Sequence, residues 1–379
     1  MEEPYEKLFG ILLAVVMMFS VVGVLAACNN NNEDGEFNYS KIPDTMTSEN
    51  GKYEIAFITD VGELMDKSFN QGTWEGLKRY ASENNKSYKY YKPAGEAGDD
   101  DRLTAIDQAV ENGAQIVVCS GFLFDNSIIK AVAKYPNVKF AQIDGTAGGD
   151  AKNFVGIIFH EEQAGYLAGY AAVKEGYTKL GFFGGMEIPA VQRYGYGYIQ
   201  GAQDAAKELN TKVTMKYNYC GAFNADPAFL TTVSGWYNNG TEVVFSCGGK
   251  ICENVFAAAE KANKVAIGVD VDQSSESEIV VTSAEKDLRA AGMLILDKFY
   301  SGKWDTELAG KALNLGAKEG AVCLPTTAKS WRFEKYTVAD YNKLYKDIVD
   351  GKIKVDATVK TTDELAKVTF SNLTLDIVK

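Results

Sequence analysis

Short β-rich runs alternate with amphipathic helical stretches twice along the chain, in the same order, and this long-period duplication restricts the fold more than any other feature. The runs cover residues 53–59, 87–91, 115–120, 138–143 and 154–158, then 179–183, 212–219, 242–246 and 265–269. Gln115-Ile116-Val117-Val118-Cys119-Ser120-Gly121 corresponds to Glu242-Val243-Val244-Phe245-Ser246-Cys247-Gly248, and Phe140-Ala141-Gln142-Ile143-Asp144 to Ala266-Ile267-Gly268-Val269-Asp270. Strands separated by helices build parallel sheets. A repeat this long means two similar lobes, not a solenoid of small units. The predicted fold class is α/β, with two Rossmann-like lobes facing each other across a cleft that closes by hinge motion. The expected division is 52–158 plus about 285–315 for the first lobe and 159–284 plus about 316–379 for the second.

The first unit shows what such a strand end can do. Ile55-Ala56-Phe57-Ile58-Thr59-Asp60 ends in a carboxylate, and a helix opens at Asp66-Lys67-Ser68-Phe69-Asn70-Gln71. Ser68 followed by Gln71 predicts a capping box, and Trp74, Leu77 and Ala81 give that helix one inward face. Asp60, Ser68, Phe69 and Asn70 then lie at the carboxyl end of a strand beside a helix start, the edge where open α/β sheets bind ligands.

Several functions are excluded early. A net charge of -12 does not suit a nucleic-acid surface, which needs clustered Lys and Arg. The chain has 1 histidine, His160, read as a helix-start or surface residue, and no metal or triad spacing supports catalysis. Gly184-Gly185 and Gly248-Gly249 follow strands but lack a phosphate-loop pattern. No cofactor is expected. The apolar stretch 11–27 has the length of a signal-peptide core and ends Leu25-Ala26-Ala27-Cys28, which resembles a lipobox. Residues 1–27 are thus expected to be a signal peptide and 28–51 a flexible tether lipidated at Cys28, on the extracytoplasmic face of the cell membrane. Cys119, Cys220, Cys247, Cys252 and Cys323 lack CxxC spacing and do not read as zinc ligands; whether Cys247 pairs with Cys252 stays open.

Binding is better supported than chemistry. Asp60, Asp144 and Asp270 each end an apolar strand, where a carboxylate gains nothing from burial unless something hydrogen-bonds it. An uncharged ligand rich in O–H or N–H donors would do so. Phe69 offers a face for stacking a flat ligand, or else staples its own helix. Lys286 meets ligand oxygens, balances the aspartates, or is a solvated helix-start residue. Phe223 is a second stacking candidate or a core ring. Asp60 and Asp144 have the alternative of tying loops, and which of Tyr194, Tyr196 and Tyr198 faces the cleft is open.

These strings, together with Trp74-Glu75-Gly76, Gly184-Gly185-Met186 and Gly268-Val269-Asp270-Val271-Asp272-Gln273, resemble the basic membrane protein, or purine nucleoside receptor A, family of ABC-transporter substrate-binding lipoproteins. The resemblance implies a type I periplasmic-binding fold, no enzymatic activity, and capture of a nucleoside for an ABC permease and ATPase. It implies that Phe69 stacks on the base, Asp144 reads base nitrogens, and Asp270 and Lys286 hold the ribose, with Asp60, Ser68 and Asn70 in the matching first-lobe loop. Where the family carries Gly-Gly-Thr-Gly, this chain reads Gly248-Gly249-Lys250-Ile251-Cys252, adding bulk and charge on the side expected to meet the sugar. A ligand-sensing receptor signalling to a membrane partner, and a binder of some other polar ligand, are the alternatives on the same fold.

Overall fold

The computed structural model describes residues 37–378 except 96, so the expected signal peptide and Cys28 lie outside the described residues. The first run of elements is β1 (Ile55–Ile58), α1 (Phe69–Glu83), β2 (Tyr88–Tyr91), α2 (Asp99–Glu111), β3 (Ile116–Ser120), α3 (Asp125–Lys134), β4 (Lys139–Ile143) and β5 (Phe154–Phe159). The second is α4 (Glu161–Glu175), β6 (Lys179–Gly184), α5 (Pro189–Glu208), β7 (Val213–Tyr219), α6 (Pro227–Asn238), β8 (Val243–Cys247), α7 (Ile251–Ala262), β9 (Val265–Asp270) and β10 (Val280–Lys286). The remainder contains α8 (Leu288–Tyr300), β11 (Lys311–Leu315), β12 (Val322–Cys323), α9 (Val338–Val349) and β13 (Leu373–Ile377).

The first sheet has the order β11-β5-β4-β3-β1-β2 and the second β12-β10-β9-β8-β6-β7-β13. Stripped of their edges, these are 2-1-3-4-5 and 7-6-8-9-10, one plan used twice. Every pairing is parallel except β10 with β12. In this plan the chain reverses direction across the sheet between β1 and β3, and again between β6 and β8. Ligand crevices open at such points. The strands bury both faces, as parallel strands covered by helices must; all residues of β1, β3 and β8 are buried.

Three crossovers join the lobes. The chain leaves the first sheet after Phe159, returns after Lys286 to place α8 on α1, and leaves again after Leu315. The His160 N–H donates to the Leu315 carbonyl at 2.9 Å, tying two crossovers together. The less regular C-terminal segment supplies three edge strands, β11 to the first sheet and β12 and β13 to the two edges of the second, which such short strands did not signal.

Helix α4 belongs to the second lobe and crosses α5 backbone to backbone. A β-carbon on Gly165 would lie 2.2 Å from the Tyr194 carbonyl oxygen, and one on Gly197 would lie 2.1 Å from that of Glu162. Such contact brings Glu161 and Arg193, one on each helix, within reach of each other.

The stretch before β1 is not free over its second half. Asp44 accepts from Trp74 Nε1 at 2.9 Å and from Lys78 Nζ at 2.7 Å, and the Pro43 carbonyl accepts from the Tyr88 hydroxyl at 2.7 Å. Asp44 supplies a counter-charge for Lys78, whose side chain is buried. The tether expectation thus holds no flexibility from about residue 42 onward.

Candidate functional site

A hollow lies between the two sets of strand ends. Asp60, Phe69 and Asp144 line it from the first lobe, and Phe223, Gly248, Asp270 and Lys286 from the second. Seven of the residues singled out in the sequence share this one hollow. Asp144 and Asp270, the matched ends of β4 and β9, both take left-handed backbone, with φ of 58° and 67°. Aspartate tolerates this region better than most residues, and the turn carries each carboxylate to the cleft.

Ser68 and Asn70 do not line the hollow; they stand one step behind it. Asn70 Nδ2 donates to Asp60 Oδ1 at 2.7 Å, and the Gly62 N–H donates to the same oxygen at 2.6 Å. Asp60 is thereby fixed through one oxygen. The Ser68 hydroxyl donates to Asp270 Oδ2 at 2.5 Å, across the lobes. It makes no side-chain hydrogen bond to its own helix. The expected capping box is therefore corrected: Asp66 caps α1, accepting from the Ser68, Asn70 and Gln71 N–H groups at 2.9, 2.9 and 3.1 Å. A carboxylate outcompetes a hydroxyl for several N–H donors at a helix start. Gln71 still reaches back, accepting from the Lys67 N–H at 3.0 Å. Burial lifts the Asp66 carboxyl to about 7 against those hydrogen bonds.

Lys286 is the electrostatic centre. Its ammonium is paired with Asp144 Oδ2 and lies 3.6 Å from both Glu161 Oε1 and Asp270 Oδ1. It also sits 4.6 Å from the centre of the Phe69 ring, a cation–π contact. Burial alone would lower its pKa, but Asp144, Asp270 and Glu161 together raise it, so the amine stays charged. Burial raises Asp144 to about 6 in spite of Lys286, and raises Asp270 as well. Lys286 is the last residue of β10 rather than a solvated helix start, which removes that alternative.

Phe223 packs over the glycines that follow β6 and β8: a β-carbon on Gly185 would meet its ring at 2.5 Å, and one on Gly248 at 2.9 Å. Of the three tyrosines, Tyr194 lines the hollow; the Tyr198 ring lies 5.2 Å from that of Phe245, and Tyr196 meets Lys360. His160 is outside, with Nδ1 2.6 Å from Glu162 Oε1. Sequence reasoning missed Phe122, Leu123 and Val191 on the walls, and Glu161 with its partner Arg193 behind Lys286. Phe122 had a usable signal, a large ring directly after the Ser120-Gly121 strand end. Glu161 had none, because its partners are distant in sequence.

Lys250 does not face the hollow, contrary to what its place after Gly248-Gly249 implied. Its side chain crosses to the first lobe and donates to Glu63 Oε2 at 2.6 Å. Lys67 makes the reverse connection, to Glu276 at 2.7 Å and Glu253 at 3.6 Å. These three pairs, made by two lysines, bridge the lobes at the rim. Exposed pairs are each worth about 0.2–1 kcal/mol, so Lys250→Glu is expected to speed ligand release about two- to fivefold. Adding Glu63→Lys should restore the wild-type rate in stopped-flow fluorescence; a double variant as fast as the single would show that the pair does not bridge the lobes in solution.

Cys119, Cys220, Cys247 and Cys252 are free, so Cys247 and Cys252 do not pair. Among the described residues no His/Cys/Asp/Glu group has metal-site geometry, and no helix is long and apolar enough to cross a membrane.

Two lobes closing over a hollow of carboxylates, a lysine and aromatic rings define a solute-binding protein. Residues 53–358 match the family described as ABC transporter substrate-binding protein PnrA-like, and the chain belongs to that family. It is therefore a substrate-binding protein of an ABC transporter and not an enzyme. It is 29% identical over 357 residues to the ABC transporter nucleoside-binding protein BmpA of Lactococcus lactis subsp. cremoris, covering 88% of this chain and 95% of that one. To basic membrane protein B of Borreliella burgdorferi it is 27% identical, over 80% and 89% of the two chains. An ABC-transporter solute-binding protein from Aeropyrum pernix K1 superposes with a TM-score of 0.72 at 23% identity, covering 82% of this chain and 95% of that one. The fold is the type I periplasmic-binding fold.

Proposed function

We propose that this protein captures an uncharged nucleoside, a purine nucleoside by preference, and delivers it to the permease and ATPase of an ABC importer. It does so from the outer face of the cell membrane, held by a lipid on Cys28. The observation that carries the reading is the gathering of Asp60, Asp144, Asp270, Lys286 and the rings of Phe69 and Phe223 around one hollow. A flat heterocycle with N–H donors suits the rings and Asp144. A sugar with adjacent hydroxyls suits Asp270, Lys286 and the unengaged oxygen of Asp60. Five buried carboxylates, counting Asp66 and Glu161, outnumber the cations Lys286 and Arg193, which disfavours a phosphorylated ligand. The Lactococcus relative, a protein named as nucleoside-binding, agrees. Glycines 248 and 249 keep the second-lobe wall clear for the sugar, because Lys250 turns to Glu63.

The decisive experiment is calorimetry of the mature chain against a nucleoside panel, with mass spectrometry of ligand retained through native purification. Saturable one-to-one heat with at least one purine nucleoside is expected. No heat with any member, or a retained ligand of another class, would overturn the nucleoside reading.

A further inference from the structure

Glu161 does not line the hollow, yet it is among the most buried charged groups in the molecule. It opens α4 directly after the first crossover, while Lys286 ends β10 directly before the second. Both therefore stand at the hinge. Glu161 Oε2 accepts from Arg193 Nε at 2.6 Å. Its Oε1 has no hydrogen-bond partner and faces the Lys286 ammonium at 3.6 Å. Asp144 is half-used in the same way, with Oδ2 on Lys286 and Oδ1 buried without a partner. Asp270 differs, since Ser68 already holds its Oδ2. Buried acceptors without donors are costly and rare in native proteins. The Lys286 ammonium thus rests on Asp144 Oδ2 while a second buried oxygen, Glu161 Oε1, stands 3.6 Å from it without a donor.

We propose that Glu161, braced by Arg193, is a positioning residue: it receives the Lys286 ammonium when the ligand engages Asp144, so that both Asp144 oxygens become available to ligand donors. About 1 Å of travel brings the amine within charge-assisted hydrogen-bond distance of Glu161 Oε1. The move keeps Lys286 paired throughout, which matters because an unpaired buried charge is strongly unfavourable. It also couples ligand arrival to the two crossovers on which the lobes turn. The inference rests on the solute-binding reading, but not on which nucleoside is bound.

The groups that face Asp144 are Lys286 at the end of β10, Glu161 on α4, Arg193 and Tyr194 on α5, Asp270 at the end of β9 and the Cys247 thiol at the end of β8. Burial and then Glu161 lift the Asp144 carboxyl, while Lys286 and Arg193 oppose the lift. Its folded value of about 6 lies above the unfolded one, so its stabilisation is complete below the unfolded value and is lost as pH rises through about 6. A ligand donating to Asp144 requires the ionised form, so binding near pH 6 releases a proton.

The test compares the mature wild-type chain with Glu161→Gln, using inosine as the probe. Calorimetry from pH 5 to 8, in buffers of different ionisation enthalpy, reads affinity and proton release together. For the wild type, weaker binding below about pH 6 and measurable proton release are expected. For Glu161→Gln, affinity at pH 7.5 should fall about tenfold, the acid limb should move to lower pH, and proton release at pH 6 should shrink. An unchanged acid limb with unchanged affinity would overturn the proposal. A ligand-free arm runs alongside: the melting temperature should rise on acidification from pH 7.5 to 5 by less in Glu161→Gln than in the wild type. An equal rise overturns the proposal even if inosine is not bound, whereas failure of the wild type alone to bind inosine tells against the nucleoside reading. If Glu161→Gln does not fold, Glu161→Asp replaces it. That variant keeps the charge and withdraws the oxygens, so it should bind more weakly with the acid limb in place; wild-type affinity would overturn the proposal.

Discussion

Lys286→Met is expected to cost about 3–5 kcal/mol of folding stability, the penalty for leaving buried charges without their partner. Three carboxylates converge on that amine, at contact distance for Asp144 and at 3.6 Å for Glu161 and Asp270. Methionine fills most of the space, so the loss measures charge and not a cavity. The sign of its pH dependence follows. Burial already raises Asp144 and Asp270 in the wild type with Lys286 opposing, and removing the cation raises them further. A carboxyl whose folded value lies above its unfolded value stabilises the fold at low pH and loses that contribution as pH rises through the folded value. The penalty of Lys286→Met should therefore be small at pH 5 and grow toward pH 8, whereas loss of a lysine hydrogen bond alone would give a penalty that is flat over this range, because lysine is charged throughout it in both the folded and unfolded chain. Urea unfolding at the two pH values reads it directly. A loss below 1 kcal/mol at pH 8 would mean that the carboxylates do not depend on the ammonium.

How much of this was legible in the chain depends on the range over which each feature is encoded. The repeated strand plan was readable because apolar runs and helical spacing are local, and Asp144 and Asp270 were readable because each closes such a run at the same place in its repeat. Capping was misread at Ser68, since Asp66, Ser68 and Gln71 all offer acceptors within six residues. Which one wins depends on Asp270, 202 residues away, which claims the serine hydroxyl. Lys250 was misjudged for the same reason. Its partner Glu63 is 187 residues distant, and nothing in Gly248-Gly249-Lys250 says which way the side chain turns. Glu161 and Arg193 escaped entirely, because a charge beginning a helix normally reads as a solvated dipole contact. Only the close crossing of α4 and α5, set by Gly165 and Gly197, shows that this one is buried.

Phe69→Ala is expected to weaken ligand binding by about 1–3 kcal/mol, roughly 5- to 150-fold in Kd, if the ring is the anchor its position describes. The ring belongs to the first residue of α1, is only partly buried, lines the hollow and packs against the apolar core. Such a residue contributes little to folding compared with a fully enclosed ring such as Phe57. Its loss should therefore lower the ligand-free melting temperature by only a few degrees, the share of its contact with the Lys286 ammonium. The Lys286 ammonium 4.6 Å from the ring centre adds a second effect. Without the aromatic face the amine loses a cation–π contact worth about 0.5–2 kcal/mol, and its hold on the ligand loosens with it. Phe69→Leu separates the two contributions from simple burial, since leucine keeps apolar area but has no π face. If Phe69→Leu binds as the wild type does, the ring acts only as apolar surface. If Phe69→Ala leaves affinity unchanged while lowering the melting temperature, Phe69 is a packing residue and the ligand stacks elsewhere, with Phe122 and Phe223 the remaining rings on the walls.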